Sequence, residues 1–166
     1  SVAVSEKIDI VVELIGGVDQ AKELVQAALL SGKPVVTANK ELLAKHGPEL
    51  FKIADRGGVD LLFEAAVAGG VPLMRVLRES LRGEPIRRVI GIVNGTTNYI
   101  LSKMSDTGMS YSDALAEAQG KGFAESDPTA DVGGQDAASK VAIIAMVAFG
   151  ARVGLSDDAA DSVASH

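Results

Sequence analysis

Residues 124–140, AESDPTADVGGQDAASK, gather four carboxylates, Glu125, Asp127, Asp131 and Asp136, ahead of a single amine, Lys140. Asp136 and Lys140 stand four apart, so a helix brings them onto one face with the acid before the base, the favourable order. Such a pair can run general acid–base chemistry, the lysine handling a proton and the aspartate orienting it. The alternative is a surface ion pair worth about 0.3–0.5 kcal/mol. The next ten residues, VAIIAMVAFG, are apolar nearly all round a helix, which points the helix start into protein rather than water. Desolvation there makes an ammonium readier to give up its proton. Glu125, Asp127 and Asp131 fall in a Gly/Pro-containing loop, where acids make turns and favour helix N-termini, or receive an ammonium group such as an amino acid's α-amine.

Three other stretches have chemical potential. In GIVNGTTNYIL (91–101) an apolar run passes through Asn94-Gly95-Thr96-Thr97 into a helix. Thr96 or Thr97 can cap that helix, and the same hydroxyls and backbone N–H groups can cradle a ligand. VVTANK (35–40) has the same design, with Ala38-Asn39-Lys40 at a strand's carboxyl end, where open α/β sheets bind ligands. FEAAVAGGVPL (63–73) sets small residues about two glycines, either for close packing or to let carbonyls converge on a hard cation. His46, before Gly47-Pro48, reads as a helix-end or surface residue, and His166 is terminal; two histidines assemble no Ser-His-Asp arrangement and no His-rich metal site.

The elements that must position these residues follow from pattern. IDIVVELI (8–15) reads as a buried parallel strand ending at Gly16-Gly17, followed by a helix over 18–32 that stops at Gly32. A strand over 33–40, a helix over 40–56 interrupted at Gly47-Pro48, and a strand over 59–66 come next. Strand–helix alternation implies a parallel, right-handed layer. A helix over 69–83 with Pro72 in its first turn, a strand over 86–95, and helices over about 97–106, 111–121 and 135–150 complete the reading. The tail SDDAADSVASH is small and polar and is expected to fray.

The 166 residues carry 47 % hydrophobic and 4 % aromatic residues, 18 glycines and no tryptophan, an aliphatic core palette suited to α/β layers. A net charge of −6 without a basic cluster argues against nucleic acid. The absence of cysteine removes disulfides, thiolate metal sites and thioester chemistry. No apolar run approaches the roughly 18 residues of a membrane span and the sequence shows no signal-peptide pattern, so a soluble cytoplasmic protein is expected.

Taken in order, VVELIGG, VVTANK, FEAAVAGGVP, GIVNGTTNYIL and AESDPTADVGGQDAASK closely resemble the homoserine dehydrogenases over residues 8–153. That resemblance implies an NAD- or NADP-dependent oxidoreductase interconverting L-homoserine and L-aspartate 4-semialdehyde on the route to threonine, isoleucine and methionine. It assigns proton transfer to Lys140, its carboxylate partner to Asp136, the substrate's amino group to Glu125, and a cleft contact with cofactor or substrate to Lys40. Asp131, Asn94, Gly95 and Thr96 complete the substrate side, and Gly16 and Gly122 are backbone positions near the cofactor. Carbonyls of Glu64, Val67, Gly69 and Val71 match a monovalent-cation site for sodium or potassium.

The implied fold is the remnant of a doubly wound Rossmann-type sheet over 1–62, followed by an α+β substrate and dimerisation domain over 63–166. A Gly-rich G-x-G-x-x-G turn, which seats a pyrophosphate, is absent from the sequence, as are the family's later strands. The chain is therefore expected to be an internal fragment that by itself binds NAD(P) weakly and turns over poorly. A small-molecule substrate and a homo-oligomer, dimer or tetramer, are the expected partners, with neither nucleic acid nor membrane. Two alternatives stand beside the enzyme. One is another Rossmann-type reductase, against which the Asp136–Lys140 pair argues. The other is a non-catalytic assembly or amino-acid-binding module, which has no need of a proton-transfer pair.

Overall fold

The computed structural model describes residues 2–151, and the polar tail and His166 lie outside the described residues. Two compact units emerge. Among the described residues, one comprises 2–89 with 139–151, and the other runs Ile90–Ala138.

The first unit is built on strands β1 (Val11–Glu13), β2 (Val35–Thr37) and β3 (Leu61–Leu62), all parallel in the order β1-β2-β3. Helix α1 (Asp19–Leu30) and helix α2 (Lys40–Gly57) connect them. α1 buries Ala21, Val25, Ala28 and Leu29, a helical stripe that packs on α2. The expected strand–helix alternation is thus present, with shorter strands. β1 is buried on one face only: Val12 and Leu14 are exposed, because no described element covers that side.

α2 corrects the expected interruption at Gly47-Pro48, since it runs unbroken through both, and His46 sits inside it rather than at an end. A helix-interior proline costs about 3 kcal/mol. Burial of Leu42, Leu43, Ala44, Leu50 and Ala54, on both sides of the proline, outweighs that local preference. Gly47 packs closely, since a Cβ there would lie 3.1 Å from Cε of Met146 and that side chain would have to shift by a few tenths of an ångström.

After β3 the chain leaves the sheet four residues earlier than the alternation predicts, passing into a tight turn over Glu64–Ala66. The Glu64 carboxylate accepts the backbone N–H groups of Met74 (3.1 Å) and Arg75 (2.7 Å), tying that turn to helix α3 (Leu73–Arg75), which continues as a wide turn through Val76–Ser80. This helical stretch begins four residues later than expected, Pro72 preceding it, since Ala68 (φ 53°) and Gly70 (φ 85°) turn the chain first.

The predicted strand over 86–95 does not form. Ile90 and Ile92 are exposed, and the segment joins no described strand in a ladder. Among the described residues the unit Ile90–Ala138 is helical: α4 (Gly95–Thr107), α5 (Tyr111–Gly120), α6 (Thr129–Val132) and the start of α7 (Gln135–Phe149). Ile100, Ala114, Ala118 and Ala124 form its core. Glu117 clamps α5 to α4, accepting Tyr99 Oη (2.6 Å) and pairing with Lys121 and Lys103 (3.1 Å). The three donors, Lys121 first, hold its carboxyl down at about 2.

Candidate functional site

In the first unit the carboxyl ends of β1 and β2 open a cleft of about 240 Å³ lined by Glu13, Leu14, Gly16, Gly17, Ala38, Asn39, Lys40 and Glu41. Gly16 (φ 78°) and Gly17 (φ 70°) are both left-handed, a conformation that side chains resist. A Cβ built on either meets nothing within 4 Å, so the turn leaves open space for a ligand to approach the backbone. Asn39 caps α2, its Oδ1 accepting the Leu42 N–H (3.0 Å), and its Nδ2 donates to the Gly17 carbonyl (2.6 Å). Lys40 is the first residue of α2.

Sequence reasoning missed Glu13. It ends β1 with only 3 % exposure, in register with Thr37 of β2, whose hydroxyl donates to its Oε2 (2.6 Å). The readable signal was an acid closing a β-branched run where apolar residues are the rule.

The second unit centres on Asn94. Its Oδ1 accepts the Thr97 N–H (2.8 Å) and so caps α4, while its Nδ2 donates to Asp131 Oδ1 (2.7 Å) and Asp136 Oδ2 (2.8 Å). The cap is therefore Asn94, not Thr96 or Thr97, and α4 starts at Gly95. Thr96 instead donates its hydroxyl to the Phe123 carbonyl (2.7 Å), beside Gly122 (φ 73°).

Of the four acids, Asn94 brings two together, Asp131 and Asp136, the latter 6 % exposed. Asp127 serves its own turn, since the Thr129 hydroxyl and N–H both donate to it and hold its carboxyl below the usual range. Glu125 is exposed, and its carbonyl accepts Gln119 Nε2 (3.0 Å). Lys140 follows Asp136 by four residues on the continuous helix α7 and is half-buried. α7 is less enclosed than its composition suggests: Ala142, Ile143, Ile144 and Met146 are buried, but Val141 and Phe149 are exposed.

Glu64, Val67, Gly69 and Val71 lie in the loop between β3 and α3. Neutral carbonyl oxygens suit an alkali cation, and the Glu64 carboxylate is already committed to α3. Among the described residues no cluster of three or more His, Cys, Asp or Glu side chains could hold a metal, and no helix is long and apolar enough to cross a membrane.

A parallel sheet with a glycine turn and a lysine at its carboxyl edge defines the class of α/β nucleotide-binding proteins. Comparison with known proteins narrows it. The profile for homoserine dehydrogenase matches residues 72–165, and that for the NAD binding domain of homoserine dehydrogenase matches residues 2–64. The chain belongs to the homoserine dehydrogenase family. It is 58 % identical over 152 residues to the homoserine dehydrogenase of Corynebacterium glutamicum, covering 92 % of this chain and 34 % of that protein. The homoserine dehydrogenase of Synechocystis is 48 % identical over 95 % of this chain and 36 % of its own length. Among solved structures, a homoserine dehydrogenase from Thiobacillus denitrificans matches with TM-score 0.80 at 55 % identity, over 86 % of this chain and 33 % of that one. A hyperthermophilic archaeal homoserine dehydrogenase in complex with NADPH matches with TM-score 0.80 at 39 % identity, over 87 % and 45 %. The chain spans about a third of the length of the curated relatives it matches.

Proposed function

We propose that the protein carrying this chain is a homoserine dehydrogenase, interconverting L-aspartate 4-semialdehyde and L-homoserine with NAD(P) in the cytoplasm, on the route to threonine, isoleucine and methionine. The observation that carries this reading is the buried amide of Asn94 holding Asp131 and Asp136, the latter four residues ahead of Lys140 on α7.

Each residue has a task. Glu125, exposed in its loop, receives the substrate ammonium, with the Asn94–Thr96 turn and the Gly122 backbone beside that loop. Asp131 and Asp136, fixed by Asn94, add negative charge for the same ammonium, and Asp136 orients Lys140. In the reducing direction the Lys140 ammonium gives a proton to the oxygen of the former aldehyde and is re-protonated from solvent; in the oxidising direction the neutral amine takes the hydroxyl proton.

Gly16 and Lys40 would hold the dinucleotide, the open glycine turn admitting its backbone and the lysine neutralising phosphate. Bound there, NAD(P)H supplies a hydride. The carbonyls of Glu64, Val67, Gly69 and Val71 would hold a sodium or potassium ion. The protein is further proposed to act as a homo-oligomer.

The test is NADPH oxidation by the full-length protein with L-aspartate 4-semialdehyde. Consumption that requires the aldehyde supports the reading, and its absence in a folded protein that binds NADPH contradicts it.

A further inference from the structure

We propose that Glu13 is a positioning residue that, through Thr37 and Asn39, pre-sets the Gly16–Gly17 turn for a dinucleotide. The inference rests on the reading of that cleft as the dinucleotide seat.

Both oxygens of the Glu13 carboxylate are engaged. Oε1 accepts the N–H groups of Ile15 (2.9 Å) and Gly16 (3.2 Å), and Oε2 accepts the Thr37 hydroxyl (2.6 Å). Thr37 Oγ1 in turn accepts the Asn39 N–H (3.0 Å), and Asn39 Nδ2 donates to the Gly17 carbonyl (2.6 Å). The bonds close a ring from the turn after β1, across the sheet edge to β2, and back to the turn, joining two sides of one cleft.

Burying a carboxylate is costly unless protein donors replace water, and an aliphatic residue would serve the core without that cost. What the carboxylate adds is direction. Two consecutive left-handed glycines have many conformations open to them, and Glu13 and Asn39 grip that turn at Gly16 N and Gly17 O. The Glu13 carboxylate oxygens are committed to protein donors, and Lys40 lines the same cleft as a cation for a phosphate-bearing ligand. A turn held before binding spares the ligand the entropy of ordering it.

The experiment uses the full-length protein, comparing Thr37→Val, Thr37→Ser and Glu13→Gln. Thr37→Val removes the hydroxyl at nearly constant shape, and Glu13→Gln removes the charge that attracts the N–H groups. Each is expected to raise the KM for NADPH about tenfold, with kcat within about twofold, and Thr37→Ser to restore the wild-type value. An unchanged KM, a kcat loss without a KM change, or failure of Thr37→Ser to rescue overturns the proposal. Should the variants not fold, amide exchange in the wild type decides: residues 15–17 are to be protected before NADPH is added, and rapid exchange overturns it. A wild type that binds no NADPH overturns the dinucleotide reading itself, an outcome distinct from variants that match the wild type.

Discussion

The amide nitrogen of Asn94 lies 2.8 Å from Oδ2 of Asp136, and both residues are 6 % exposed. The same amide group reaches Asp131 and its oxygen caps α4, so one side chain fixes a helix start and two acids. Replacing Asn94 with alanine removes a cap worth about 1 kcal/mol and strips a donor from each of two carboxylates, at about 1–3 kcal/mol. Asn94→Ala is therefore expected to lose about 2–4 kcal/mol of stability in urea unfolding. A loss of about 0.5 kcal/mol or less would mean that the cluster is held by other contacts.

Glu117 gives an acid dependence. Its carboxyl is held at about 2, below its ordinary 4.5, chiefly by Lys121 and then by Tyr99 and Lys103. A depressed folded-state value contributes stability that is complete above the ordinary value and disappears as pH falls toward about 2. The melting-temperature gap between wild type and Glu117→Gln should therefore narrow between pH 4.5 and about 2. A gap independent of pH in that window would remove the clamp from the account.

Gly16 and Gly17 test the cleft. An alanine at either takes on a left-handed strain of about 1 kcal/mol and projects a methyl into the open space of the turn. Gly17→Ala is expected to weaken NADPH binding in a fluorescence titration by about tenfold or more, since each 1.4 kcal/mol is tenfold. Unchanged affinity would place the dinucleotide elsewhere.

Much of this arrangement was readable in the residues. β-branched runs ending in glycine or a polar tripeptide marked the parallel sheet and its working edge, because strand burial and turn chemistry are local properties. Asp136 and Lys140 fell on one helix for the same reason. Three features were not local. Pro48 signalled a break that packing on both sides of it overrides. Residues 86–95 have the composition of a strand, yet pairing depends on a neighbouring strand, and the segment joins no described ladder. Asn94 and Asp136 are 42 residues apart, and only the fold reveals that a residue expected to line a ligand cradle is the bridge between two acids.

The proposed cation site makes its own prediction. If the carbonyls of Glu64, Val67, Gly69 and Val71 hold an alkali ion, exchange of sodium and potassium for tetramethylammonium should lower activity, whereas EDTA should not. Loss of activity in EDTA would point to a divalent ion instead.

Lys140→Ala in the full-length protein, measured by NADPH titration and single-turnover reduction of L-aspartate 4-semialdehyde, tests the central claim most directly. Dinucleotide affinity should stay within about threefold of wild type while the reduction step slows by about 10²–10⁴, the share a positioned acid supplies. A reduction rate within a few-fold of wild type would contradict the assignment of the proton to Lys140.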